Sequence, residues 1–270
     1  MATASVPEQP SLQKDTSANV CVVGAGIAGM TTAYLLAHQG KSVVVVDDGP
    51  IAGGQTQRTT AHLSNAIDDR YFEIERLHGE RGACLVAESH TAAIERIEAI
   101  IRDEGIDCEF ERVDGYLFVP PGESLEVLER ELEAAHRVGL SSVERIERAL
   151  LGSFDTGPCL RFPRQGQFHP LKYLTGLARS IQQKGGRIFT ETHVDRIDGG
   201  LPARIKTRNG PVVTADAVVV ATNTPINDLV AIHTKQAPYL TYVIGAAMPH
   251  GIIPKALYWD TGVAASVSRP

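Results

Sequence analysis

Val20-Cys21-Val22-Val23-Gly24-Ala25-Gly26-Ile27-Ala28-Gly29 is the stretch on which the reading of this chain turns. A short apolar run, strand-like in length and branching, meets a glycine turn of the form G-x-G-x-x-G, and a helix-like segment follows. Beyond that segment a second apolar run, Val43 to Val46, ends in Asp47-Asp48. Strand, glycine turn, helix, strand and terminal acid come in the order of a βαβ unit that binds an adenine dinucleotide. Gly24 permits the tight turn, Gly26 lets the backbone approach a pyrophosphate, and Gly29 lets helix and strand pack closely. Ile27 and Ala28 begin the helix, whose N-terminus offers free N–H groups to phosphate. Asp47, with Asp48 beside it, is placed to accept hydrogen bonds from the hydroxyls of an adenosine ribose.

The 270 residues suffice for one large domain or two small ones, and 43% hydrophobic against 21% charged residues supports a sizeable core. A net charge of −6 without a long basic run argues against nucleic acid or an anionic membrane as the main partner. No apolar stretch is long enough to span a bilayer. The opening residues lack a basic start and an apolar core, so they are not a secretory signal, and residues 1–18 read as a flexible leader. Cysteines 21, 84, 108 and 159 show no C-x-x-C spacing, so neither a redox dithiol nor a metal site is expected. Reduced thiols in a cytoplasmic protein are the plain reading.

Further along, Ile94, Ile97 and Ile101 share a helical face. Cys108–Val113 and Tyr116–Val119 read as strands with Asp114-Gly115 as a hairpin turn between them. A second helix carries Leu125, Leu128, Leu132 and Ala135 inward, its glutamates forming a solvated face. A third begins at His169-Pro170, His169 having a capping role, with Leu174, Leu177 and Ile181 inward. Arg187–Val194 reads as a strand. Asn209-Gly210 joins Ala203–Arg208 to Val212–Thr214, within a β-meander near residues 197 to 215. Ala217–Thr222 has the composition of a strand buried on both faces. Strand-like pieces also occur at 239–244 and 256–259.

The loop Gly53-Gly54-Gln55-Thr56-Gln57-Arg58-Thr59-Thr60 follows directly after the second strand. Its hydroxyls, backbone N–H groups and Arg58 suit a pyrophosphate and ribityl chain, which favours FAD over NAD, as does the single glycine fingerprint. Together with Gly24–Gly29, Asp47 and Val218–Thr222, this loop resembles the D-amino-acid oxidase-like FAD-dependent oxidoreductases. Thr59–Asn65 and Asp114–Phe118 are similar to a bacterial branch whose members often carry a C-terminal Rieske domain, and the likeness covers about residues 18 to 262. No C-x-H or C-x-x-H pair is present, so a Rieske cluster is not carried over. Asn223 stands where the family has glycine.

The resemblance implies an α/β fold: a Rossmann-like FAD-binding domain of the glutathione-reductase type, formed by residues 19–84 and 161–224. An inserted α+β substrate domain, incomplete at its C-terminus, would comprise 85–160 and 225–270. The implied cofactor contacts are Gly24, Gly26, Ile27, Ala28, Gly29, Asp47, Asp48, Gly54, Gln55, Thr56, Arg58, Thr59, Thr60, Val194, Ala221 and Thr222. The implied reaction oxidises an amine, amino acid or related small donor by hydride transfer to flavin. Because the ring does that chemistry, no obligatory triad is expected. His62, just past the loop, is the one candidate catalytic side chain. Arg112, Tyr116, Arg161 and Tyr242 suit the substrate side, although single strand arginines and tyrosines are mostly packing or surface. The chain ends at Pro270, short of the family's returning C-terminal segment. A truncated, non-catalytic remnant with a partial dinucleotide site is therefore the alternative, and an NAD-dependent dehydrogenase a third.

Overall fold

The computed structural model describes residues 4–152, 154–224, 226, 245–247, 249 and 251–262. The strand-like stretch 239–244, Tyr242 and the tail 263–270 lie outside the described residues. The chain forms two compact units, one of residues 1–60, 101–108 and 169–243, the other of 61–100, 109–168 and 244–270. Residues 61–84 and 161–168, expected with the nucleotide-binding part, thus cluster with the second unit, and residues 101–108, expected with the substrate part, cluster with the first.

The first unit is built on strand β1 (Thr16–Val23), helix α1 (Ile27–His38) and strand β2 (Val43–Val46). Strands β1 and β2 pair in parallel, Val20 against Val43 through Val23 against Val46. Helix α4 (Pro170–Gln183) and strands β7 (Arg187–Phe189), β8 (Val194–Asp198), β9 (Ala203–Thr207) and β10 (Val212–Val220) complete the unit. The sheet order is β7-β2-β1-β10-β9-β8, parallel from β7 to β10 and antiparallel from there on. The β8-β9-β10 meander occupies the expected residues, and Gly210 takes the positive φ its turn requires.

Three readings are corrected in this unit. Residues 9–18 are not a flexible leader. Leu12 is buried, its N–H donates to Thr192 Oγ1 at 3.0 Å, and Thr190 bonds the carbonyls of Gln9 and Pro10. The expected strand 187–194 is split because Glu191 adopts a positive φ of 48°. The far half of β10 is not buried on both faces: Asp216, Ala217 and Val220 are exposed. His169 does stand at the N-cap of α4, but its side chain makes no capping bond. Its backbone N–H instead donates to Cys108 O at 2.7 Å.

The second unit holds strand β3 (His62–Leu63), most of helix α2 (Tyr71–Asp103), strand β4 (Glu111–Phe118), helix α3 (Glu126–Arg137) and strands β5 (Glu144–Ile146), β6 (Cys159–Gln167) and β11 (Ala256–Asp260). Its sheet runs β11-β4-β6-β3, with β5 also on β6. Leu117, Leu160 and Phe162 pack against Tyr71, Ile74, Ala83 and Leu128 of the two helices. On the other face Tyr116 and Cys159 meet Ala149 and Tyr258. Helix α2 kinks at Gly79, where φ is 72°.

Asp114-Gly115 is not a hairpin, since β4 runs straight through it. The glycine is there for space. A Cβ at Gly115 would lie 2.6 Å from Trp259 Cη2 and 3.2 Å from Gln165 Cγ. Gly115→Ala is therefore expected to destabilise the protein by about 1–3 kcal/mol through overpacking, read as a lower urea midpoint. An unchanged midpoint would mean that the indole moves aside freely. Nor do all the glutamates of α3 face solvent: Glu131 is buried, and its carboxylate accepts the Tyr71 N–H at 2.8 Å at the start of α2.

Candidate cofactor site

Within the first unit the ends of β1, β2 and β10 converge on a cavity of about 590 Å³. The Gly24 backbone, with φ at 111°, turns there so tightly that an added Cβ would sit 2.4 Å from Ala221 O. Gly29 is closer still, its hypothetical Cβ 1.9 Å from Gly24 O. These two glycines let β1, α1 and β10 approach to backbone contact, leaving the mouth of α1 facing the cavity. Gly26 is the N-cap of α1 and contributes no capping side chain, so the first turn keeps its donors for a guest. One of them is already engaged: Ile27 N–H donates to Thr56 Oγ1 at 3.1 Å.

Asp47 does more than the sequence indicates. Its Oδ2 accepts the Ala25 N–H at 2.5 Å and its Oδ1 accepts the Gly49 N–H at 2.8 Å, tying the glycine turn to the end of β2. Burial pushes its pKa up, the two backbone bonds pull it down, and neighbouring Asp48 raises it, with a net upward result. Each carboxylate oxygen retains a lone pair that can face a ribose hydroxyl. Asp47→Ala strands both amides and is expected to cost about 2–6 kcal/mol at roughly 1–3 kcal/mol per unsatisfied group. Asp47→Asn should cost less, and a thermal melt of the pair checks the order.

Of the residues expected at the cofactor, Gly24, Gly26, Ile27, Ala28, Asp47, Asp48, Gly54, Gln55, Thr56, Val194, Ala221 and Thr222 line this one cavity. Gly29 lies behind the turn as a packing residue. Arg58, Thr59 and Thr60 do not line it; the backbone enters a short 3-10 turn at Thr56–Arg58, and Arg58 is exposed. The cavity also takes in Thr192, His193 and Thr224, which the sequence did not single out, and Asn223, which stands where the family has glycine. His193 Nδ1 stands 3.6 Å from Asp48 Oδ2 and its Nε2 3.5 Å from Asp195 Oδ1. The sequence signal for Thr192 and His193 is that they belong to the stretch 187–194, which reads as a strand and ends at Val194. Asn223 has a positive φ of 63°, the conformation a glycine would take freely and that asparagine tolerates better than most residues.

His62 lies in the second unit, paired through β3 to Gln167 on β6. Partial desolvation holds its pKa below the usual imidazole value, since burial disfavours the charged ring. Arg161 is fully engaged, with Asp114 at 2.8 Å and Glu144 at 2.6 Å. Among the described residues no cluster of His, Cys, Asp and Glu could hold a metal ion, and no helix is long and apolar enough to cross a membrane.

The glycine cradle, open helix mouth and acid at the end of β2 fit an adenine dinucleotide. Residues 19–261 match the family described as FAD dependent oxidoreductase, DAO. The chain is similar to YhfW of Bacillus subtilis (strain 168), whose name carries a Rieske 2Fe-2S iron-sulfur label, at 33% identity over 84% of this chain and 44% of that protein. It is also similar to gamma-glutamylputrescine oxidoreductase of Escherichia coli (strain K12), at 31% identity over 82% of this chain and 52% of the relative. Among solved structures, L-amino acid deaminase from Proteus vulgaris aligns at 25% identity with a TM-score of 0.63, covering 81% of this chain and 50% of the other. Glycine oxidase from Geobacillus kaustophilus, 18% identical at a TM-score of 0.63 over 76% of this chain and 55% of the other, shares the fold. The chain spans about half the length of the curated relatives it matches.

Proposed function

The chain belongs to the family of FAD-dependent oxidoreductases, and from that membership we propose that it oxidises a small amine or amino acid by hydride transfer to flavin. FAD, when bound, supplies the hydride acceptor. The observation that carries the reading is the single cavity in which the glycine turn, the α1 mouth, Asp47 and Thr56 face one another. In this proposal Gly24 and Gly26 admit the pyrophosphate, Ile27 and Ala28 direct amide N–H groups at it, and Asp47 with Asp48 takes the ribose. Thr56 shifts its hydroxyl from Ile27 N–H to phosphate, while Val194 offers its backbone to the adenine. Gly54, Gln55, Thr59, Thr60 and Arg58 belong to the strap over the cofactor, and His62 is the candidate group toward the substrate.

The substrate class is supported by the names of similar proteins, a gamma-glutamylputrescine oxidoreductase and an L-amino acid deaminase. A cytoplasmic location is part of the same proposal, supported by four free cysteines. The test is anaerobic mixing of the flavin-loaded chain with a panel of primary and secondary amines and amino acids. Bleaching of the long-wavelength flavin band by one of them supports the reading. A loaded chain bleached by none of them would favour a remnant that keeps only the dinucleotide site.

A further inference from the structure

We propose, on the reading of the first unit's cavity as a dinucleotide site, that residues 9–12 brace that cavity through Thr190 and Thr192. Docking of the brace and occupation of the cavity by the adenine half of FAD then favour each other. The key segment is the loop between β7 and β8, where Glu191 takes a φ of 48°. A positive φ in a residue other than glycine persists only where the surroundings enforce it. Here the enforcement comes from the two threonines that flank Glu191, both of them buried.

On one side the threonines hold the N-terminal segment. Thr190 N–H donates to Pro10 O at 3.1 Å, and its hydroxyl donates to Gln9 O at 2.7 Å. Thr192 Oγ1 accepts the Leu12 N–H at 3.0 Å and donates to Thr190 O at 2.8 Å, so one hydroxyl joins the brace to the loop. From α4, Gln182 Nε2 donates to Gln9 Oε1 at 2.8 Å. The Leu12 side chain belongs to the apolar cluster of Val44, Val46 and Ile205, against which Val194 also packs.

On the other side the same loop forms cavity wall. Thr192 N–H donates to Asp47 O at 2.8 Å, and Asp47 N–H donates to Phe189 O at 3.0 Å. Thr192, His193 and Val194 line the cavity, whereas Thr190 does not. A buried hydroxyl or amide is costly unless it finds a partner. When the brace lifts, Leu12 N–H and Thr192 Oγ1 lose each other, and Glu191 loses a support of its positive φ. The wall at 192–194 then relaxes from the geometry that meets the adenine. A ligand that requires this geometry must favour the docked brace by the same factor, because such coupling is reciprocal.

FAD is the probe, titrated into the full chain by its fluorescence change, with hydrogen exchange of residues 9–15 and 24–30 followed with and without saturating FAD. Thr192→Val removes the acceptor of the Leu12 N–H, and Thr192→Ser keeps it. Thr190→Val releases the Gln9 carbonyl from a position outside the cavity. All are measured under conditions where urea curves show them folded. The expected result is that FAD slows exchange over residues 9–15 in the parent. Its Kd should rise about fivefold or more in both valine variants and stay within about twofold of the parent in Thr192→Ser. A merely structural role would lower the urea midpoints of the valine variants and leave the Kd of the folded proteins unchanged, which overturns the proposal. It is also overturned if Thr190→Val binds FAD as the parent does, since any loss in Thr192→Val would then lie in the cavity wall itself. FAD that protects residues 24–30 but not 9–15 in the parent overturns it as well, with the cofactor reading left standing. A parent that binds no FAD overturns both.

Discussion

Gly29→Ala is expected to abolish flavin retention and to lower stability by about 3 kcal/mol, the upper end of what overpacking costs. The new Cβ would lie 1.9 Å from Gly24 O and 3.0 Å from Gly24 C, and both are backbone atoms that no rotamer change can remove. Relief requires that α1 withdraw from β1, which opens the turn whose shape forms the cavity. Gly24→Ala should act in the same direction, for it adds a strained φ to a 2.4 Å approach to Ala221 O. Gly54→Ala is the internal control. Gly54 lines the same cavity, but its Cβ would meet nothing within 4 Å, so its stability should be near that of the parent. Urea denaturation of the three variants, with a flavin titration of each, reads both effects. Equal stability of Gly29→Ala and the parent would refute the close-packing role.

Glu131→Gln is expected to make the protein more stable than the parent above neutral pH, and to make little difference in mild acid. Glu131 is buried at the start of α2, where its carboxyl accepts the Tyr71 N–H at 2.8 Å. Burial, opposed by the backbone bonds from Phe72 and Tyr71, raises its pKa from 4.5 to about 7. The folded protein thus keeps a proton that the unfolded chain has released, so stability falls as pH rises across that interval. A separation of this size corresponds to about 3 kcal/mol at about 1.4 kcal/mol per pH unit. Below pH 4.5 both states hold the proton and the full contribution is present; above about pH 7 it is gone. Glutamine keeps an acceptor for the Tyr71 N–H without the titration. Denaturation of parent and variant at pH 4.5 and pH 8 should therefore give a stability difference that grows with pH. The same difference at both values would contradict the assignment.

The sequence was most legible where its signals were local. The glycine turn lies between two runs of valine, and the parallel pairing of Val20 with Val43 follows from that order alone. Asn209-Gly210 likewise announces its turn. What stayed hidden depends on distant partners. Gly115 is small because the indole of Trp259 arrives from β11, which no local pattern discloses. Leu12 looked like part of a loose leader because its hydrogen-bond partner, Thr192, stands 180 positions away. The solvated-face reading of α3 failed at Glu131 because α2 begins against it. At the cofactor cavity the residue types were readable, but the bonding was not. Asp47 was expected to serve a ribose, and it also holds the amides of Ala25 and Gly49.

The central claim is that the Gly24–Gly29 turn and Asp47 shape a flavin cavity in the first unit. Its most direct test is the absorbance spectrum of the purified chain after incubation with FAD and gel filtration, run beside Gly29→Ala. The account predicts flavin bands that co-elute with the parent protein and are absent from the variant. A parent that emerges colourless, or that takes NAD in preference to FAD, would contradict it.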